Sequence, residues 1–562
     1  LDVLGISCFY HDSSACLVRD GKIIAAAQEE RFSRQKNTDT FPIEALNYCS
    51  QFGNVLFEDI HAIGYFEKPY LKFSRVLIEH LNQFPFSLKS FLRTLPQWMD
   101  NRLILPLIVQ EELSTNSPTH FFQHHLSHAA SSFLPSPFEE AAIMTCDGVG
   151  EWATMTLGEG RGSEISLYQE ICYPDSVGLL YTTITIYLGF HAHGGEGKTM
   201  GLAGYGEPRF INQMNQIIQI REDGSFKLDQ KYFSYRRGQK MWNHNFEKLF
   251  GKSRKPDEPW EQRHYDIAAS LQFIVEKIFI LSAREIQKRT QLKNLCLAGG
   301  VTLNCVANAK ILENTNFENI FIQPAAGDAG GAVGAALYIS NTLNQEPRHH
   351  QSHSFLGPEY SEFEIVKALK SARVTNFLKL NEDELLKKTA QSIYSDKTVG
   401  WFQGRMEFGP RALGGRSILA NPCSKKMKDI LNHKIKKREG FRPFAPMVLE
   451  ERCSEFFNLN IQSPYMLLAP SVRSDKRELL PAITHADGTA RVQTVGVTEH
   501  PRLRKLIQEF EKLSNVPVLI NTSFNQNREP VVCKPEHAVK CFLNTELDVL
   551  VIGDYWVEKI TT

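Results

Sequence analysis

The chain has no excess of either charge, no paired-cysteine spacing and no apolar run long enough for a bilayer. Each absence removes a class of function. Lys+Arg and Asp+Glu both number 63, for a formal net charge of zero, so overall charge does not point to nucleic acid or a membrane as the main partner. There are eleven cysteines but no CxxC pair, and most sit in apolar runs, as Cys8, Cys146 and Cys296 do. That pattern fits buried thiols in a reducing compartment rather than a disulfide framework. The apolar stretch 103–109 is far too short for a bilayer span and contains Pro106. Residues 3–7 form a strand-like run with no basic start before it, so no signal peptide is expected. These readings predict a soluble, cytoplasmic protein with neither nucleic acid nor membrane among its partners.

What the chain does have is length and glycine-rich turns. At 562 residues it exceeds a single core, and 42% hydrophobic with 22% charged residues is globular rather than disordered. Residues 4–7, 15–18 and 22–27 read as strands, with Asp20-Gly21 as a hairpin turn between the last two. A second strand, glycine turn and hairpin begins near Glu140, with runs at 141–145, 152–157 and 164–168. Two such units in tandem suggest a duplicated nucleotide-binding fold. Further along, 294–298 leads into Gly299-Gly300 and a helix over 304–312, and 320–322 leads into a glycine turn and a helix over 331–338. At strand–glycine–helix junctions, backbone N–H groups and helix N-termini suit phosphates. The polar, proline-containing stretch 346–360 reads as a linker between an N-terminal domain, 1–345, and a second α/β domain, 361–562.

The sharpest chemical signal is four residues far apart in the chain. His124 and His128 stand four residues apart, which puts both imidazoles on one helix face. Asp147 opens an Asp-Gly-Val-Gly turn after an apolar run, and Asp328 lies in Ala-Gly-Asp-Ala-Gly-Gly. Two imidazoles and two carboxylates suit a divalent metal such as Fe(II), Mn(II) or Zn(II), with positions left for phosphate oxygens. The plainer reading of the histidine pair is an ordinary helix face, and His125 competes with His124 for the ligand role. Phase with His128 favours His124. The glycines at 194–197 and 201–206 add close backbone approaches of the kind ligands use.

Charge, balanced overall, is not balanced locally. From Arg405 to Arg442 there are eleven Lys/Arg against three Asp/Glu. Arg405, Arg411 and Arg416 stand among glycines, and Lys436, Arg438 and Arg442 lead into Pro-Phe-Ala-Pro. A solvated basic face needs no interleaved Gly, Pro and Phe, whereas an anion pocket built of guanidinium forks does.

Taken together, these segments resemble the natural-product O-carbamoyltransferases of the nodulation-factor, cephamycin, tobramycin and saxitoxin types. The resemblance runs end to end, through 9–15 (Phe-Tyr-His-Asp-Ser-Ser-Ala), 29–34 (Glu-Glu-Arg-Phe-Ser-Arg), His124/His128, 147–151, 201–208, 409–414, 441–446 and 521–525. It implies a mixed α/β fold. The N-terminal domain would be actin/hexokinase-like, of the threonylcarbamoyl-transferase kind, with two RNase H-like halves. The C-terminal domain would be YrdC-like. It further implies that carbamoyl phosphate is hydrolysed to carbamate in the YrdC-like domain. Carbamate then attacks the α-phosphate of ATP, and the resulting carbamoyl-adenylate passes its carbamoyl group to an acceptor hydroxyl.

Carried over position by position, the resemblance makes His124, His128, Asp147 and Asp328 the metal ligands. Fe(II) is expected first, with Mn(II), Zn(II) or Mg(II) as alternatives. His11 matches the general base for the acceptor hydroxyl, with Asp12 beside it for acceptor binding. Lys36, Gly299, Gly300, Asn304, Asp328, Gly330 and Gly331 fall at the ATP site. Arg411, Lys436, Arg442, Arg491, Asn521 and Ser523 match the carbamoyl-phosphate pocket. Gly204 stands where relatives commonly have proline, and Asn37 where many have histidine. The expected partner is a small hydroxylated acceptor, and a homodimer is compatible with the sequence. Two other classes share parts of this pattern. A tRNA threonylcarbamoyl-type enzyme would need a basic surface for RNA, which the neutral charge does not supply. A non-catalytic nucleotide-dependent regulator would bind ATP without turnover.

Overall fold

A computed structural model describes residues 1–237 and 240–559. It is mixed α/β and divides into two compact units, Leu1–Glu29 with Asn37–Gln351 and Glu30–Lys36 with Ser352–Thr562. In the first unit, strands β1 (Asp2–Ser7), β2 (Ser14–Arg19), β3 (Lys22–Gln28), β4 (Ala62–Tyr65) and β5 (Thr119–Phe121) form one sheet in the order β3-β2-β1-β4-β5. The first three are an antiparallel meander, while β4 and β5 run parallel to β1. Asp20 and Gly21 close the β2–β3 hairpin with φ of 49° and 79°, the paired positive values that a tight hairpin twist requires.

The same topology then repeats. Strands β6 (Glu140–Cys146), β7 (Ala153–Arg161) and β8 (Glu164–Cys172) form a second meander. A short hairpin of β9 (Ile218–Ile220) and β10 (Phe226–Leu228) intervenes. Strands β11 (Asn294–Ala298) and β12 (Asn319–Ile322) then add parallel to β6, giving β12-β11-β6-β7-β8. Three antiparallel strands followed by two parallel additions beside the first is the RNase H-like order. Two tandem copies make the actin/hexokinase-like arrangement.

One helix joins these halves. Ala329–Leu337 has the sequence Ala-Gly-Gly-Ala-Val-Gly-Ala-Ala-Leu and is buried throughout. Its small residues are required by contact. A Cβ on Gly334 would lie 1.8 Å from the Ser127 carbonyl oxygen of the helix His124–Phe133, and a Cβ on Gly5 of β1 would lie 1.8 Å from that of Ala332. Both obstacles are backbone, so neither can move aside cheaply.

The second unit is an eight-stranded sheet. Its strands are β13 (Phe377–Lys379), β14 (Val399–Phe402), β15 (Arg416–Ala420), β16 (Ala445–Leu449), β17 (Gln493–Val495), β18 (Val518–Ser523), β19 (Val549–Ile552) and β20 (Tyr555–Glu558), in the order β13-β20-β19-β14-β15-β18-β16-β17. Its core packs Trp401, Leu419, Met447, Leu519 and Trp556 with Leu385, Leu386, Leu506 and Phe510 from the helices Glu382–Tyr394 and Pro501–Ser514. The segment Glu30–Lys36 is bound into this unit by its arginines. Arg31 donates to Gly409 O at 2.8 Å, and Arg34 donates to Val531 O at 2.6 Å and Pro530 O at 2.7 Å.

Overpacking the Gly334 contact should be costly. Gly334→Val is expected to lower unfolding stability by about 2–4 kcal/mol, read as a shifted midpoint in urea. An unchanged midpoint would mean that the two helices can separate freely.

Candidate metal and anion sites

The helix His124–Phe133 begins where the carboxylate of Glu151 accepts from His124 N at 3.0 and 3.1 Å. The same carboxylate accepts from Lys68 N at 2.7 Å. A buried acid at a helix start satisfies free N–H groups and complements the dipole. This fixes where His124 begins and, one turn later, His128. Asp147 stands at the end of β6, and Asp328 immediately precedes the helix Ala329–Leu337.

These four side chains converge, with one ligand atom from each all within 4.8 Å of one another. Asp147 Oδ2 lies 2.8 Å from His124 Nε2 and 3.1 Å from His128 Nε2, and the two Nε2 atoms are 3.0 Å apart. Asp328 Oδ1 is 3.6 Å from His124 Nε2 and 3.8 Å from His128 Nε2. Donor atoms bound about 2.1 Å from one ion stand about 3.0–3.4 Å apart, so His124, His128 and Asp147 are spaced close to the edges of a coordination polyhedron, and Asp328 stands a few tenths of an ångström farther out. Two imidazole nitrogens facing each other also suit an ion better than a proton. Burial, with His128 next to it, holds His124 well below the usual histidine range, so its ring is neutral as a ligand must be. Burial opposes ionisation of Asp147, but hydrogen bonds from His124 and His128 outweigh it and hold the carboxyl well below its ordinary range. Burial pushes Asp328 up to about 7, against the pull of His11. His125 points elsewhere, its Nδ1 lying 2.6 Å from Thr145 Oγ1, and burial lowers it to about 4.

His11 borders the cluster. Its Nε2 is 3.6 Å from Asp328 Oδ2 and its Nδ1 is 3.0 Å from Asp12 Oδ2. Asp12 has φ of 54°, a strained conformation for a residue other than glycine, and its carboxylate orients the His11 ring. Burial works against protonation of His11, but Asp328 and Asp12 together raise it to about 9. A cation drawing on the same carboxylates would release that proton. The His193 ring lies 4.5 Å from that of His11, centroid to centroid. His193 was not singled out from the sequence, although its place beside the 194–197 glycines was a usable signal.

The glycines divide into two kinds. Gly299 has φ of 100°, and a Cβ there would lie 2.2 Å from Cys146 O. A Cβ on Gly330 would meet Ala325 O at 2.2 Å, and one on Gly331 would meet Phe66 Cβ at 2.8 Å. Close packing explains these three. Gly300 N faces Asp147 Oδ1 at 3.3 Å. Asn304 caps the helix Cys305–Asn314 by accepting from Ala307 N at 3.0 Å, and its amide pairs with Gln272. Gly148 and Gly327, each next to an aspartate of the cluster, have nothing within 4 Å of where a Cβ would stand. They leave the backbone open to a ligand, which their neighbours do not.

The second unit gathers cations. Of the three guanidinium groups at 405–416, two hold backbone. Arg405 donates to Leu356 O and Gly357 O. Arg416, fully buried, donates at 3.0 Å to the carbonyls of Gln403, Gly404, Gly415 and Pro358. Glu407 folds the glycine loop by accepting from Leu413 N and Gly415 N at 2.8 and 2.6 Å. Lys436 is buried, with Nζ on Asn525 Oδ1 at 2.7 Å and Ser523 Oγ at 3.3 Å. Burial, then the charges of Arg438, Arg442 and Lys36, push Lys436 well below the usual lysine range. Lys36, placed by the sequence at the ATP site, belongs to the second unit and stands near this cluster. Arg442 is lowered by burial and by Arg491. Asn521 donates to Ala412 O at 3.0 Å and Gln493 Oε1 at 2.8 Å, leaving its buried Oδ1 without a hydrogen bond. Arg438, from the same basic run, lies over Phe444 at 4.8 Å and donates to Asn432 Oδ1 at 2.8 Å. So many half-buried cations, with Glu439 as the neighbouring acid, call for a small multivalent anion.

Elemental analysis of the purified protein should find about one transition metal per chain. His128→Ala should lose it, while metal retained in that variant would remove the cluster as its site.

Comparison with known proteins follows the same division. A family profile described as "Carbamoyltransferase N-terminus" matches residues 2–337, and one described as "Carbamoyltransferase C-terminus" matches 390–559. The uncharacterized protein sll1178 of Synechocystis is 44% identical over 99% of this chain and 96% of its own length. Nodulation protein NolNO of Sinorhizobium fredii is 39% identical over 98% of this chain and 80% of its own. Likeness to solved structures is slight. The HypF of T. kodakarensis aligns with a TM-score of 0.34 and 15% identity, over 62% of this chain and 48% of that one, so the fold rests on strand order instead.

Proposed function

The chain belongs to the carbamoyltransferase family, and from that membership and the two sites we propose an ATP-dependent O-carbamoyltransferase acting on a small hydroxylated acceptor. The observation that carries this reading is the pairing of a four-ligand cluster beside an open-glycine turn in one unit with a cation pocket in the other. Carbamoyl phosphate binds among Arg411, Lys436, Arg442 and Arg491, where its phosphate meets guanidinium forks and an ammonium. Asn521 Oδ1, the buried acceptor lacking a partner, suits the carbamoyl N–H. Water cleaves the carbamoyl–oxygen bond, giving carbamate and phosphate. Shielding that step from bulk water limits loss of the unstable carbamate.

ATP is used in the first unit, its phosphates approaching the backbone at Gly148 and Gly327. A carbamate oxygen attacks the α-phosphorus, pyrophosphate leaves, and carbamoyl-adenylate results. A divalent ion held by His124, His128, Asp147 and Asp328 would offset phosphate charge there. The acceptor hydroxyl then attacks the carbamoyl carbon as His11 Nε2 takes its proton, and AMP leaves. Asp12 keeps the His11 ring turned so that Nε2 is the accepting atom.

Two variants separate the half-reactions. Arg442→Ala should slow phosphate release from carbamoyl phosphate by about 100-fold or more yet leave use of supplied carbamoyl-adenylate intact. Equal loss of both would argue for a single site. His11→Asn should still make carbamoyl-adenylate but transfer about 100- to 10,000-fold more slowly. Transfer at the parental rate would reduce His11 to scaffolding.

A further inference from the structure

In the helical insertion between β4 and β5, the first helix turns charges inward and leucines outward. On the helix Pro69–Asn82 the buried positions are Pro69, Lys72, Arg75 and Glu79. Lys72 pairs with Glu67 and lies over the Tyr10 ring, Arg75 stacks on Tyr173 at 4.8 Å, and Glu79 meets Arg236 at 2.8 Å. Leu77, Ile78 and Leu81 are exposed. A surface helix ordinarily has the reverse arrangement. The next helix, Leu88–Gln97, buries nothing, although Leu88, Phe91, Leu92 and Leu95 recur at helical spacing. Among the described residues, twelve of the 26 exposed large apolar side chains lie between Tyr70 and Leu107. That concentration in so short a stretch marks a surface awaiting cover rather than scattered apolar residues.

We propose that a second copy of this chain covers it, in a two-fold symmetric dimer. This inference is independent of the reaction proposed above. The area is sufficient: the twelve side chains are 36% to 66% exposed and together present roughly 1,000 Å² of apolar surface, against ~800 Å² per partner in a standard stable interface. The charges choose between a protein and a lipid. Exposed Lys68, Lys89, Arg93 and Arg237, the last over Phe86 at 5.2 Å, stand against exposed Asp100, Glu111 and Glu112, a near balance without the strong positive field that would hold the surface to an anionic bilayer. The signs are also segregated, with Lys89 and Arg93 on the helix Leu88–Gln97 and Glu111 and Glu112 on the helix Leu105–Leu113. A two-fold contact sets the same patch against itself, and an axis between these two helices lets the basic helix of each copy lie against the acidic helix of the other.

Sedimentation velocity on the full chain should give about twice the 63.9 kDa chain mass at micromolar concentration. The double variant Leu81→Glu/Leu92→Glu should raise the dissociation constant by about 100-fold or more with unchanged circular dichroism, since both leucines are already exposed. Lys89→Glu/Arg93→Glu should weaken the dimer, and adding Glu111→Lys/Glu112→Lys should restore it. If the leucine variant does not fold, this charge exchange decides the matter alone. A monomer up to about 100 µM would overturn the proposal, as would a dimer indifferent to both sets of substitutions. So would a monomer that cosediments with phosphatidylserine-containing vesicles through these leucines, which would assign the surface to lipid.

Discussion

The contact between the helices Ala329–Leu337 and His124–Phe133 is the constraint on which the first unit depends. Backbone approaches backbone so closely at Gly334 that no side chain fits. That approach lies between the two RNase H-like halves, because one helix leads into β6 of the second half and the other packs on β1 of the first. It also brings Asp328, at the start of one helix, to the two histidines on the other. Fold closure and ligand convergence are therefore one packing event, and a side chain too large at Gly334 disturbs both.

The two sites handle buried charge in opposite ways. In the first unit, the neutral His124 ring, His128 and two carboxylates crowd together with Asp328 pushed up to about 7, a state that a cation would relieve. In the second, Lys436, Arg438 and Arg442 are all lowered by burial and by neighbouring cations, Arg491 among them, a state that an anion would relieve. Neither arrangement contributes well to stability by itself, since desolvated charges cost more than they return without a partner. The surrounding hydrogen bonds, such as those of Glu151, Glu407 and Arg416, carry the cost of holding these groups in place.

Much of this was written plainly in the chain. Period-two runs broken at Asp20-Gly21 and at 147–150 announced both meanders, and the His124/His128 spacing announced a shared helix face. Local pattern suffices there because turn conformation and helical phase are set by neighbours in sequence. The segment 30–36 was different: its assignment to the second unit depends on Arg31 and Arg34 reaching carbonyls nearly 400 and 500 residues away. The roles of Arg405 and Arg416 were equally hidden, since a guanidinium among glycines reads the same whether it meets a phosphate or a ring of carbonyls.

The sequence by itself determined the strand and helix periods, the residue types fit for a cation and for an anion, and the glycines that permit close approach. These are properties of neighbouring residues and of side-chain chemistry. Only the tertiary structure decided which glycines face open space and which face packed backbone, which arginines hold the scaffold, and that His193 stands against His11. It also decided that the helix Pro69–Asn82 points Lys72 and Arg75 inward and Leu77 and Leu81 outward. Those outcomes depend on contacts between distant segments, where the identity of the neighbour, and not the residue's own character, sets what a side chain does.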